Sequence, residues 1–358
     1  MASSGESKTL FMHDVVPGCI VPPTKPRYEL LREIGAGAFG AVYTAKDMWD
    51  DEVVAVKLSY SLGKRPKKIM KEHTVAQAVT DRLGKHGLVP EHKTMFGFNL
   101  QDRDTQGNQK ACFALVMECI DGVDLWALCW AAREVKKPLT MDHIGLIYRD
   151  LAIALNYLHS GTPQLLHRDI KAENIMADAD GRVVLCDFGL GRKVESEEVV
   201  RTFCGTYCAQ APELDQPRVG YSSPVDIWAL ATCMTLIATG AELPYCLLGK
   251  PERAAMRRNH DTMPLPEDLP PALAEVIRAC VHWRPEDRAT AEALLDFPLL
   301  AVRPNSDELR REIGRFVIQA YEYNDVFSTD TWSRRMELSE ELKAEAAREQ
   351  AEAGEQEE

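Results

Sequence analysis

Short apolar runs separated by turn residues fill the first third of the chain. Between Tyr28 and about Glu118, the stretches Leu30–Ile34, Ala41–Ala45, Val53–Leu58 and Cys112–Met117 each read as a strand. One segment of helical period, Pro66–Leu83, interrupts them. The polar run Asn99–Lys110, with Gln106-Gly107-Asn108 as its turn signal, reads as a loop joining two strands. Beyond Gly122 the pattern changes to longer helical segments, Met141–Leu158, Pro224–Thr239 and Pro271–Val281, with short strands near Ile175 and Val183–Cys186. A strand-rich part with one main helix is therefore followed by a mainly helical part.

The ends differ from this body. Residues 1–27 mix Ser, Gly, Pro and Lys without a sustained period and read as a disordered leader. After 301, a helical extension spans 302–337. Within 303–326, Leu309, Ile313, Phe316, Val317 and Ala320 share one face behind Asn305 or Ser306 as cap, and that face needs a surface to cover it, more readily on the same chain than on a partner. Residues 338–358 form an acidic Ala/Glu-rich tail that reads as a solvated, fraying helix.

Composition narrows the function classes. With 358 residues, 45% hydrophobic and 27% charged, the chain fits a folded enzyme. The net charge of −13, part of it in the tail, argues against nucleic acid as a partner. The ten cysteines lack paired zinc-type spacing and read as reduced thiols. No early segment shows a charged-then-apolar pattern, and the longest apolar stretch, Trp228–Ala238, is short of the roughly 20 residues a membrane span needs. These readings give a cytoplasmic expectation, the nucleus included, with no membrane partner.

The candidate chemistry begins with Gly35-Ala36-Gly37-Ala38-Phe39-Gly40-Ala41-Val42, between two strand-like runs. There glycines let backbone N–H groups approach phosphate oxygens. A dinucleotide fold would start a helix at the third glycine, whereas Ala41–Thr44 reads as a strand, which favours ATP. In Val54-Ala55-Val56-Lys57 the strand period turns Ala55 and Lys57 to one face, and Glu72 in the following helix is the natural carboxylate for Lys57. Further on, His167-Arg168-Asp169-Ile170-Lys171-Ala172-Glu173-Asn174 precedes Asp187-Phe188-Gly189. Phosphoryl transfer needs a carboxylate to take the proton of the attacking hydroxyl, oxygen ligands for Mg²⁺ (or Mn²⁺), and a cation near the γ-phosphate. Asp169, then Asn174 with Asp187, then Lys171 are the candidates.

On these motifs, with Ala211-Pro212-Glu213, Asp226-Ile227-Trp228 and Arg288 in the same order, the chain resembles the eukaryotic-type protein kinase superfamily over residues 28–301. The resemblance implies an α+β, two-lobed kinase fold. Its β-rich N-lobe (28–118) carries one main helix, its C-lobe (122–301) is mainly helical, and ATP lies between them. It also implies a Glu213–Arg288 pair. Around adenine it implies Met117 at the back of the pocket, backbone groups of Glu118 and Ile120, a sandwich of Val42, Ala55 and Met176, and Asp124 toward the ribose.

Lys171, Thr206 and Leu190 resemble Ser/Thr kinases, the last with serine as acceptor, and Glu173 with Asp124 would suit basic residues before the acceptor. Activation by an upstream kinase at Thr202 is expected, its phosphate gripped by Arg168 and Arg192, with Lys68 joining. Two other readings remain: a catalytically inactive pseudokinase scaffold, and a small-molecule kinase, against which the Gly-Thr and Ala-Pro-Glu segments argue.

Overall fold

The computed structural model describes residues 17–22, 25–37, 40–60, 66–101, 109–194, 210–215, 221–260 and 262–323. The chain divides into two compact units, Met1–Asp121 and Gly122–Glu358.

In the first unit, strands β1 (Ile20–Val21), β2 (Tyr28–Gly37), β3 (Gly40–Asp47), β4 (Glu52–Tyr60), β5 (His92–Gln101) and β6 (Gln109–Glu118) form an antiparallel sheet in the order β1-β2-β3-β4-β6-β5. Alternation places Leu30, Tyr43, Ala45, Val54, Val56, Leu58, Ala114 and Val116 in one buried layer. Helix α1 (Pro66–Leu83) packs against β5, with Val75, Val79 and Leu83 buried. The four expected strands and the helix are all present, but β5 and β6 continue into the polar run, pairing as far as Gln101 with Gln109. Ladder hydrogen bonds extend them past the point where the apolar pattern stops.

One expectation needs correcting. Within the stretch read as a leader, Ile20–Val21 pairs with β2, and Val21 is fully buried. The Gly18 N–H donates to the Leu30 carbonyl at 2.6 Å, and the Leu30 N–H to the Cys19 carbonyl at 2.8 Å. The two residues of this strand are too few to show a period, so the sheet recruits a strand that pattern alone does not reveal.

The second unit is built on α3 (Met141–Ser160) and α4 (Pro224–Thr239). Apart from Asp226 in its first turn, α4 is predominantly apolar on every side and is buried from Val225 through Thr235, the behaviour of a central helix. α3 begins with a capping box: the Thr140 hydroxyl accepts from the His143 N–H, and His143 Nδ1 accepts from the Thr140 N–H at 3.2 Å. Helices α2 (Leu125–Glu134), α5 (Lys250–Asn259), α6 (Pro271–Cys280), α7 (Ala291–Leu294) and α8 (Ser306–Tyr323) complete the helical part. Strands β7 (Gly122–Asp124), β9 (Ile175–Asp178) and β10 (Val183–Leu185) form a sheet in the order β10-β9-β7, and β8 (Gln164–Leu166) pairs with β11 (Arg192–Val194).

The apolar face of α8 read from the sequence is covered by its own unit. Leu309, Ile313, Phe316, Val317 and Ala320 are all buried, and the helix packs on α2, α3, β7 and β9 of its own unit. Residues 324–358, with the end of the extension and the acidic tail, lie outside the described residues. No disulfide joins the described cysteines, and among the described residues no helix is long and apolar enough to cross a membrane.

Candidate active site

In the first unit the glycine-rich segment is a hairpin. Gly35 pairs with Val42, Ala36 with Ala41 and Gly37 with Gly40, while residues 38–39 at its tip lie outside the described residues. Gly40 has a positive φ of 151°, and a Cβ there would sit 1.7 Å from the Leu58 carbonyl oxygen, so only glycine lets β3 run this close to β4. Lys57 lies on β4 with its side chain 24% exposed, and its Nζ is 2.7 Å from Glu72 Oε1 on α1. That pairing places α1 in the register read from the sequence.

Ala55 and Ile120 are buried, whereas Val42, Met117 and Glu118 are half-buried, as is Met176 in the second unit. The Glu118 N–H donates to the Glu91 carbonyl at 2.8 Å. Asp124 caps α2, its Oδ1 accepting from the Ala127 N–H at 2.9 Å.

In the second unit the loop 167–174 is held from below by Asp226 of α4. One carboxylate oxygen accepts from the His167 N–H and the other from the Arg168 N–H, at 2.9 and 2.8 Å, and His159 Nε2 lies 2.9 Å from the first. Complete burial would by itself raise the Asp226 pKa; the His159 hydrogen bond and charge, with the His167 N–H, outweigh it and hold the carboxyl below its usual range. His167 donates from Nε2 to the Cys186 carbonyl at 2.9 Å, and its ring meets Phe188 edge-on at 4.7 Å. These contacts tie the loop to the Asp187-Phe188-Gly189 segment.

Within this frame the reactive groups converge. Asn174 Nδ2 donates to both the carbonyl and Oδ2 of Asp169, at 2.8 and 2.9 Å, and Lys171 Nζ is 3.3 Å from the same Oδ2. With its amide nitrogen committed, Asn174 keeps its amide oxygen as a hard donor. Asp187, at a positive φ of 58°, presents an exposed carboxylate whose Oδ1 accepts from the Gly189 N–H. Two hard oxygen donors suit Mg²⁺ or Mn²⁺. Arg168, in the loop 167–174, and Asp187, in the segment tied to it, are two of the few described non-glycine residues with positive φ.

A sequence signature described as the protein kinase domain matches residues 28–300. The chain belongs to the protein kinase domain family. Among related proteins, serine/threonine-protein kinase PAK 1 of Mus musculus is 32% identical over 284 residues, 78% of this chain and 47% of that protein. Serine/threonine-protein kinase STE20 of Candida glabrata is 31% identical over 298 residues, 82% of this chain and 30% of that one. BCK1/SLK1/SSP31 of Saccharomyces cerevisiae, also a serine/threonine-protein kinase, is 29% identical over 295 residues, 79% and 19%. The chain thus spans less than half the length of these relatives.

The kinase domain also holds the Glu213–Arg288 pair, bidentate at 2.7 Å for both bonds and buried on both sides. Arg168 donates to the Leu190 carbonyl from Nε at 2.6 Å and from Nη2, and to the Tyr221 hydroxyl at 2.9 Å. Arg192 sits half-buried on β11. Thr202 and Thr206 lie outside the described residues, and so does the Lys68 side chain. Sequence reasoning did not assign His159 or Tyr221 to the site. Asp226 carried a usable signal, a lone acid opening an otherwise apolar helix.

Proposed function

We propose that this chain is a serine/threonine protein kinase, transferring the γ-phosphoryl group of ATP to protein hydroxyls. The observation that carries this reading is the cluster in which Asp169 is fixed by Asn174 and faced by Lys171. Asp169 would orient the acceptor hydroxyl and take its proton, and Lys171 would offset charge on the transferring group. Lys57, positioned by Glu72, would hold the nucleotide phosphates, with backbone N–H groups of the glycine hairpin. Asn174 and Asp187 would hold the divalent metal, Mg²⁺ or Mn²⁺, which when bound neutralises phosphate charge. Met117, Glu118, Ile120, Val42, Ala55, Met176 and Asp124 would contact adenine and ribose, as in the resemblance.

By the resemblance, Lys171 and Thr206 support Ser/Thr over Tyr, and Leu190 favours serine over threonine. The test is transfer of labelled γ-phosphate to peptide libraries with Ser, Thr or Tyr as the sole acceptor. The reading predicts label on Ser and then Thr. Label confined to Tyr, or absent from every library, contradicts it, and absence favours a scaffold.

Regulation by phosphorylation of Thr202 is part of the same proposal. A phosphate there would carry about −1.5 to −2 charges and draw on Arg168 and Arg192. Thr202→Ala is expected to lower turnover severalfold relative to wild type shown by mass spectrometry to carry the phosphate; equal turnover contradicts this switch.

A further inference from the structure

Helix α8 lies beyond residue 300, where the family match ends, yet it grips the far end of the hairpin that carries the two metal-ligand candidates. We propose that Arg310 of α8 is a positioning residue for metal binding: by holding the β9–β10 turn against α3, it sets the geometry of Asn174 and Asp187 at the hairpin's base. The proposal rests on the kinase reading and extends it to a segment outside the matched domain.

Asn174 immediately precedes β9, and Asp187 follows β10 after Cys186. The Cys186 N–H donates to the Asn174 carbonyl at 2.7 Å, so the two ligand residues flank one closing hydrogen bond. At the other end, Asp178 folds the turn, accepting from the N–H groups of Asp180 and Arg182 at 3.1 and 2.9 Å and from Arg182 Nε at 2.8 Å. With strands of four and three residues, such a hairpin takes its position from what packs against it.

α8 supplies that packing in two ways. Arg310 Nη1 donates to the Gly181 carbonyl at 3.1 Å, while Nη1 and Nη2 together engage both oxygens of buried Asp150 on α3, at 2.8 and 2.9 Å. One guanidinium thus joins α8, α3 and the turn, and the two-pronged, charge-assisted geometry fixes direction as well as distance. The backbones also meet without intervening side chains: a Cβ on Gly181 would lie 2.0 Å from the Arg310 carbonyl oxygen, and one on Gly314 would lie 2.0 Å from the Ala179 carbonyl oxygen. Mg²⁺ tolerates little departure from octahedral geometry, so a displaced turn, carried along two short strands to their base, weakens its site.

The test measures binding of a non-hydrolysable ATP analogue to the full chain by calorimetry, with Mg²⁺ and with EDTA, in wild type, Arg310→Gln and Arg310→Lys. Arg310→Gln is expected to reduce the Mg²⁺-dependent gain in affinity by about tenfold while leaving affinity in EDTA unchanged. Hydrogen exchange within 175–187 is expected to quicken. Arg310→Lys keeps the charge without the fork, so a smaller loss is expected, and it serves as the test should the Gln variant fail to fold. If the variants melt earlier but keep the full Mg²⁺-dependent gain, Arg310 is only structural and the proposal falls while the kinase reading stands. If wild type itself gains no nucleotide affinity from Mg²⁺, the kinase reading falls and takes the proposal with it.

Discussion

Glu213 and Arg288 show how much a single pair can decide. Both are buried, and Arg288 also donates to the His282 and Pro224 carbonyls at 2.9 and 3.0 Å and stacks over the Trp228 ring at 5.0 Å. Removing the carboxylate would strand a guanidinium away from water, so Glu213→Ala should cost about 3–5 kcal/mol, read as a lower denaturation midpoint. His92 supplies a pH signature. Its Nδ1 lies 3.2 Å from the Val116 carbonyl and so carries the proton, leaving Nε2 buried with no partner among the described residues. Burial, then the nearby His73, holds its pKa below the ordinary 6.5. Below that value the unfolded chain takes up a proton that the folded chain refuses, so stability falls as pH drops. Burial lowers the His143 pKa too, so both residues contribute. Thermal melts between pH 7.5 and 5.5 should therefore show a falling midpoint, with a shallower fall in His92→Gln.

At the scale of elements, close approach outweighs propensity. Gly145 lies inside α3, where alanine would gain about 1 kcal/mol of helix propensity. A Cβ there, however, would come within 2.2 Å of the Leu299 carbonyl oxygen, and a backbone atom cannot swing aside. Overpacking of this kind costs about 1–3 kcal/mol, so Gly145→Ala should be destabilising on balance in denaturant titration. The elements most legible in the sequence were those whose burial repeats. α1 and α4 have the bounds that their periods indicate, and every residue expected on the inner face of α8 is buried. β1 was illegible because two residues carry no period. α2 and α5 were not singled out. α5 holds a fully buried arginine, Arg253, whose Nε donates to the Tyr245 and Leu248 carbonyls at 3.1 and 3.0 Å, so polarity hid an inward-facing position.

At the scale of the molecule, the sequence exposed the chemistry better than the support beneath it. Asp169, Asn174 and Lys171 are neighbours in the chain and meet in space, and Lys57 meets Glu72 as strand and helix periods suggest. What pattern reading did not reach are pairings across long separations: His159 with Asp226, and Arg310 with Asp150. Asp226 stands out as a lone acid on an apolar helix, but His159, Asp150 and Arg310 look like ordinary surface residues until the fold brings their partners. The central claim is that Asp169 activates a hydroxyl for phosphoryl transfer from ATP. The most direct measurement is the steady-state rate of γ-phosphate transfer to a serine peptide by wild type and by Asp169→Asn with the same melting temperature and ATP affinity. A loss of about 10²–10⁴-fold in kcat is predicted. A variant as fast as the wild type would contradict the account.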